Sequence, residues 1–99
     1  MVTKALTAPQ IEAMLLGKLT PSYIEVTDES SLHANHAESI KSGGGHFRLL
    51  LVSIQFKGKS RLQRQRLVFA ALSEGNNPPA LHALSMVLYS PSEWKERAN

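Results

Sequence analysis

The sequence predicts an α/β domain of the α+β type, with a three-stranded mixed sheet and helices packed on one face. Three observations support this prediction. The chain has 99 residues, the size of one small domain with one core. Three apolar runs have the pattern of strands, and three N-terminal capping patterns mark helix starts. The predicted order is therefore α-β-β-α-β-α within a single domain, residues 1–99.

The first helix and the first strand are predicted from the opening third of the chain. In TAPQIEAMLLG, Thr7 and Gln10 have the spacing of a capping box, apolar residues follow at helical intervals, and Gly17 is placed to end the helix. The next run, YIEVTDES, alternates between apolar and polar residues. It predicts a short strand with one buried face.

A loop and the central strand follow. Residues 30–46 are polar and contain three consecutive glycines, which predicts a long mobile loop. The run FRLLLVSIQF has apolar residues on both faces, as expected for a central strand that is covered on both sides. The residues that we assign to the core are Leu50, Val52, Phe56 and Trp94.

The second half of the chain predicts a helix, a strand and a helix. Ser60 and Gln63 repeat the capping-box spacing, and EGNNPP ends the second helix. ALHALSMVLY is the third strand, and Ser90 with Glu93 begins the last helix at SPSEW. Strands one and two are expected to be antiparallel, and the intervening helix makes a parallel crossover between strands two and three.

Composition narrows the function classes. No apolar run approaches the roughly 20 residues that span a bilayer, and the start MVTKALTAPQ lacks a signal core. We therefore expect a cytoplasmic protein, or a mitochondrial one if a leader has been removed.

Cysteine is absent, which excludes disulfides and thiolate chemistry within the chain. The spacing of acidic, serine and histidine residues does not indicate a catalytic site, so we do not expect an enzyme.

Any soft-metal ligand in this chain is a histidine, because cysteine is absent. The four candidates are His33, His36, His46 and His82. His82 begins an apolar strand, where it is either a core histidine bonded to a backbone carbonyl or a ligand at the rim of the sheet. The loop histidines are either solvated or ligating, and His46, directly before the central strand, is expected to be structural.

A basic segment, KGKSRLQRQR, lies at residues 57–66 and contains no acidic residue. Its cations could contact phosphates of nucleic acid near a helix N-terminus, dock on an acidic protein, or form a solvated face. The candidate docking residues are Lys57, Lys59, Arg61, Arg64 and Arg66.

Several motifs together resemble the BolA family. They are VTDES, HFRLLLVSIQFKGKSRLQRQR and LHALSMVLYSPSEW, in this order, and the match runs over about residues 8–95. The resemblance implies a KH-like fold of the second type. It also implies a non-enzymatic role in iron-sulfur cluster assembly and iron homeostasis, with a monothiol glutaredoxin as the partner; DNA binding by the KH-like fold is the alternative.

The resemblance also implies a ligand set. In the family's glutaredoxin complexes, a [2Fe-2S] cluster is shared between a glutaredoxin cysteine, a glutathione thiolate and histidine of the BolA-like protein. The histidine of the H-A-L motif is His82 here, and His33 is the best match for the loop ligand. The loop is longer than is usual in the family, which makes His36 a competing candidate. The basic helix reads Arg64, Gln65, Arg66, where the family usually has histidine in the middle.

Overall fold

The computed structural model describes residues 6–29, 45–73 and 83–97. The element order is that predicted from the sequence. The helices and strands are α1 (Ala8–Leu19), β1 (Tyr23–Asp28), β2 (His46–Val52), α2 (Arg61–Leu72), β3 (Ala83–Tyr89) and α3 (Pro91–Arg97). A short 3-10 helix, Ile54–Phe56, lies between β2 and α2.

The three strands form one mixed sheet in the order β1-β2-β3. β1 is antiparallel to β2, with Tyr23 opposite Val52, whereas β3 is parallel to β2, with Val52 opposite Tyr89. The connection from β2 to β3 runs through α2, as a parallel pair requires. The predicted sheet and its mixed pairing are confirmed.

The core lies between the sheet and the helices α1 and α2. Alternate residues of β2 supply its floor, and helical residues on one face of α1 and of α2 cover it. Each valine, leucine, isoleucine or phenylalanine side chain among them contributes about 1.5–3 kcal/mol when it is removed fully from water. The fully or nearly fully buried members are Ile11, Leu15, Leu19, Phe47, Leu49, Leu51, Phe56, Val68, Ala71 and Leu72.

The three predicted helix starts are confirmed by reciprocal hydrogen bonds. The Gln10 N–H donates to the Thr7 hydroxyl at 3.3 Å, and the Thr7 N–H donates to the Gln10 side chain at 2.9 Å. The Gln63 N–H donates to the Ser60 hydroxyl at 3.1 Å, and the Ser60 N–H donates to the Gln63 side chain at 2.8 Å. In α3 the Ser90 N–H donates to the Glu93 carboxylate at 2.8 Å. Each cap satisfies backbone donors that the first turn leaves unpaired.

Two predicted element ends are wrong. α1 continues past Gly17 to Leu19, because Leu19 is buried in the core and its burial outweighs the roughly 1 kcal/mol cost of glycine within a helix. β2 ends at Val52 rather than at Phe56. Ser53 turns the chain there, since its hydroxyl donates to the Leu19 carbonyl at 2.7 Å and accepts from the Gln55 N–H at 3.1 Å.

Two of the four core assignments are also wrong. Phe56 is fully buried in the core between sheet and helices, and Val52 is fully buried outside that cluster. Leu50 and Trp94 are half-buried and do not belong to the core between sheet and helices. Leu50 points to the opposite sheet face, because Leu49 and Leu51 on either side of it face the core. Trp94 contacts Tyr23 and Tyr89, whose side chains lie on that same opposite face.

Candidate functional site

The predicted ligands His82, His33 and His36 lie outside the described residues. His46 is the first residue of β2, where its carbonyl accepts the Glu29 N–H at 2.7 Å. Within residues 6–29, 45–73 and 83–97, His, Asp and Glu side chains form no group of three or more that could hold a metal ion. The metal assignments therefore remain predictions.

Three of the residues that flank the undescribed segments lie together at one end of the sheet. Glu29 precedes residues 30–44, and Gly45 follows them. Ala83 follows residues 74–82, and its N–H donates to the Gly45 carbonyl at 3.1 Å. Because Glu29 is bonded to His46 at this same end, both segments with predicted ligands are attached to one rim of the sheet.

The basic segment forms the loop before α2 and the first turns of that helix. Lys57, Lys59, Arg61 and Arg66 are exposed, and their charges face solvent. This arrangement suits binding of an acidic surface or of phosphates, as the composition indicated. The docking assignment of these residues is not tested by the structure.

Arg64 differs from the other cations of the segment, because its guanidinium is bonded within the chain. Its Nη atoms donate to both oxygens of Glu93 at 2.6 and 3.2 Å, and Nη1 also donates to the Leu88 carbonyl at 3.1 Å. Nε donates to the Lys59 carbonyl at 3.0 Å. With 12% of its side chain exposed, Arg64 ties α2, β3 and α3 together and has little capacity left for a partner.

Glu93 combines two functions that sequence reasoning did not bring together. It closes the cap of α3 through Ser90, as predicted, and it forms the ion pair with Arg64. The hydrogen bonds from Arg64 and from the Ser90 backbone lower the pKa of Glu93 from 4.5 to about 2. The carboxylate is therefore ionised throughout the physiological range. Capping-box spacing identified the first function, and no local signal pointed to the second.

A cavity of about 580 Å³ lies between the start of α2 and the outer side of β3. Lys59, Arg61 and Gln65 contribute from the side of α2. Met86, Val87 and Leu88 contribute from the strand. Its size is within the usual range for ligand sites, and both polar and apolar groups line it.

A second cavity, of about 350 Å³, lies on the sheet face opposite α1 and α2. Trp94 borders it and stacks on Tyr23 at 5.1 Å between ring centroids, with the Arg97 guanidinium 3.6 Å from the Trp94 ring. The Tyr23 hydroxyl donates to Glu25 at 3.0 Å, which raises the pKa of Tyr23. Sequence reasoning missed this aromatic cluster, because its members come from three separate elements.

The architecture and these surfaces define a small α+β domain with a basic groove beside an edge strand. The family model for BolA-like proteins matches residues 15–93. The chain therefore belongs to the BolA family, and the resemblance drawn from the motifs is confirmed. Proteins of this family are generally not enzymes.

Known proteins that resemble the chain include two curated relatives and one solved structure. BolA-like protein 1 of Mus musculus is 43% identical over 86 residues, covering 87% of this chain and 59% of the relative. The DNA-binding transcriptional regulator BolA of Haemophilus influenzae is 32% identical, covering 86% and 78%. A crystal structure of a BolA-like protein from Babesia bovis superposes with a TM-score of 0.74 at 32% identity, covering 95% of both chains.

The chain spans about three fifths of the length of the mammalian relatives that it matches. Every helix in the described parts of the chain is too short or too polar to cross a bilayer.

Proposed function

We propose that the chain is a non-enzymatic adaptor in iron-sulfur cluster assembly or trafficking and in iron homeostasis. It binds a monothiol glutaredoxin around a shared [2Fe-2S] cluster, in the cytoplasm or in mitochondria. Membership of the BolA family carries this proposal, since the family motifs cover most of the chain. The mechanism is one of binding and positioning, with no bond of a substrate made or broken by this chain.

The donor set fits a shared cluster. The chain has no cysteine and four histidines, so it can offer imidazole nitrogens but no thiolates. When bound, a [2Fe-2S] cluster accepts imidazole in place of thiolate on one iron and so links proteins that each supply part of its ligands. His82 is the proposed fixed ligand and His33 the proposed second one, with His36 as the competing loop residue. The thiolates come from glutaredoxin and glutathione.

The common position of Glu29, Gly45 and Ala83 at one rim of the sheet supports this ligand set. Residue 82 is bonded covalently to Ala83, at the start of β3. Residue 33 is four positions after Glu29, and four residues reach at most roughly 14 Å. Since Glu29, Gly45 and Ala83 lie at the same rim, a loop histidine can approach His82 without rearrangement of the sheet.

The basic segment supplies the proposed docking surface for glutaredoxin or for glutathione carboxylates. Lys57, Lys59, Arg61 and Arg66 are exposed and suit this task. Arg64 positions the surface rather than contacting the partner, because its donors are occupied by Glu93, Leu88 and Lys59.

Visible circular dichroism of a reconstituted complex tests the proposal. This protein is combined anaerobically with a monothiol glutaredoxin, glutathione, iron and sulfide. We expect a cluster spectrum distinct from that of the glutaredoxin homodimer, lost in His82→Ala and altered in either His33→Ala or His36→Ala. His46→Ala is the matched control and keeps the spectrum. A His82→Ala spectrum identical to that of the wild type would contradict the ligand assignment.

A second candidate function is nucleic-acid binding. The Haemophilus influenzae relative is named as a DNA-binding transcriptional regulator, and the exposed cations of the basic segment fit phosphates. Such binding needs no iron and weakens steeply with salt, whereas the shared cluster depends on His82. A gel shift of a DNA duplex that persists in His82→Ala and disappears in Arg61→Glu with Arg66→Glu would favour this function.

A further inference from the structure

The outer edge of β3 carries backbone groups that no described strand pairs. The sheet order places β3 at an edge. The Ala83 N–H and the Tyr89 carbonyl bond towards β2, through Gly45 and Ser53. Since successive residues of a strand direct their backbone groups to opposite sides, Leu84, Met86 and Leu88 direct theirs outwards. The bond between Arg64 and the Leu88 carbonyl confirms this direction.

Arg64 closes this edge at one end. Its Nη1 occupies the Leu88 carbonyl, so a ladder added to β3 cannot extend past that residue. The Met86 N–H and carbonyl come immediately before this stop. Unpaired edges of this kind accept an extended segment from another chain.

The edge forms one wall of the 580 Å³ cavity beside α2, which we call the β3 groove. Its lining includes Lys59, Arg61 and Gln65 on one side and Met86, Val87 and Leu88 on the other. A strand laid along Met86 therefore has cations along its outer side. Val87 is 43% exposed, so an apolar contact is also available at the edge.

The groove has a net positive charge. Neither Lys59 nor Arg61 has an acidic partner among the described residues, where Arg48 pairs with Glu29 and Arg64 pairs with Glu93. The one acidic side chain that lines the groove is Glu93, and its charge is matched by Arg64. A ligand with acidic side chains complements this surface.

We propose that the β3 groove binds an extended acidic segment of a partner protein by strand addition, with its backbone on Met86 and its carboxylates on Lys59 and Arg61. A peptide is favoured over a nucleic acid as the ligand because the groove combines a strand edge with apolar side chains. Its one aromatic residue, Tyr89, is already in contact with Trp94 and is not a free stacking platform for bases. The proposed peptide binding does not involve the cluster ligands, so the His82→Ala variant is expected to retain it.

The test uses a fluorescein-labelled acidic peptide of about eight residues, the length of an ordinary strand, in which glutamate alternates with threonine. Fluorescence anisotropy measures its affinity for the full chain. We expect Lys59→Glu with Arg61→Glu to weaken binding about tenfold or more, because attraction becomes repulsion. Lys57→Glu with Arg66→Glu makes the same charge change outside the groove and is expected to have a much smaller effect.

Backbone methylation of the peptide tests strand pairing directly. Methyl groups on alternate peptide nitrogens remove every second N–H. We expect one methylated series to lose binding and the other to keep it, with the Met86 amide signal shifting in nuclear magnetic resonance spectra when binding occurs. Equal binding of both series, or equal loss in both charge variants, would overturn strand addition. Displacement of the peptide by a DNA duplex, together with insensitivity to methylation, would assign the groove to nucleic acid instead.

Discussion

At the scale of single residues, Arg64 and Glu93 show how a tertiary contact changes the meaning of a sequence pattern. Arg64 stands in a run of cations that reads as a docking surface, and Glu93 stands at capping-box spacing from Ser90. Their bidentate contact joins residues 29 positions apart, which local spacing cannot reveal. The Arg64–Glu93 pair lies on the rim of the β3 groove and stabilises α3. The additional bond from Arg64 to the Leu88 carbonyl limits the exposed edge of β3.

The depressed pKa of Glu93 predicts how stability depends on pH. The folded pKa of about 2 is below the ordinary value of 4.5, so the unfolded chain binds more protons at this carboxyl. The stabilising contribution is complete above pH 4.5 and is lost as the pH falls towards 2. We expect Glu93→Gln to lower the free energy of unfolding by about 1 kcal/mol at neutral pH, a modest value because 45% of the Glu93 side chain is exposed and solvent screens the pair.

Urea denaturation of the wild type and of Glu93→Gln at a series of pH values measures this effect. The difference between the two should shrink as the pH falls from 4.5 towards 2. Glu96→Gln, an exposed change in the same helix, is the control and should leave stability nearly unchanged. A constant difference across this range would show that the Glu93 carboxylate does not contribute through its charge.

At the scale of elements, helix starts were predictable and two element ends were not. Thr7, Ser60 and Ser90 cap helices by local hydrogen bonds, which residue type and spacing specify. The ends depend on tertiary contacts. Leu19 extends α1 because it reaches the core, and Ser53 ends β2 by bonding to the Leu19 carbonyl.

Gly17 and Gly58 lead to opposite predictions. Gly17 lies within α1, and a methyl group added there has no atom within 4 Å, so Gly17→Ala should raise the free energy of unfolding by about 0.5–1 kcal/mol. Gly58 has a φ of +75°, where a side chain is strained, so Gly58→Ala should lower it by about 1 kcal/mol. Thermal denaturation of the two variants measures both changes. A destabilising Gly17→Ala would mean that α1 does not continue as a regular helix through residue 17.

At the scale of the whole molecule, the mixed sheet and the family followed from the sequence. A connection without a helix between the first two strands, a helical crossover to the third strand and the ordered family motifs were sufficient. The second sheet face was not predictable in the same way. Leu50 and Trp94 are apolar enough to be placed in the core, but Trp94 packs on Tyr23 and Tyr89 across the other face. The predicted ligands His33, His36 and His82 lie outside the described residues, so their assignment comes from motif position and family membership.

The central claim is that this chain and a monothiol glutaredoxin share one cluster, and the composition of the complex tests it most directly. Native mass spectrometry of the anaerobic mixture is expected to show one copy of each protein, one glutathione, and two iron and two sulfide ions. The same preparation with His82→Ala should contain the glutaredoxin homodimer with its cluster and the free variant. Wild-type protein that stays free beside a cluster-bound glutaredoxin homodimer would contradict the shared-cluster function.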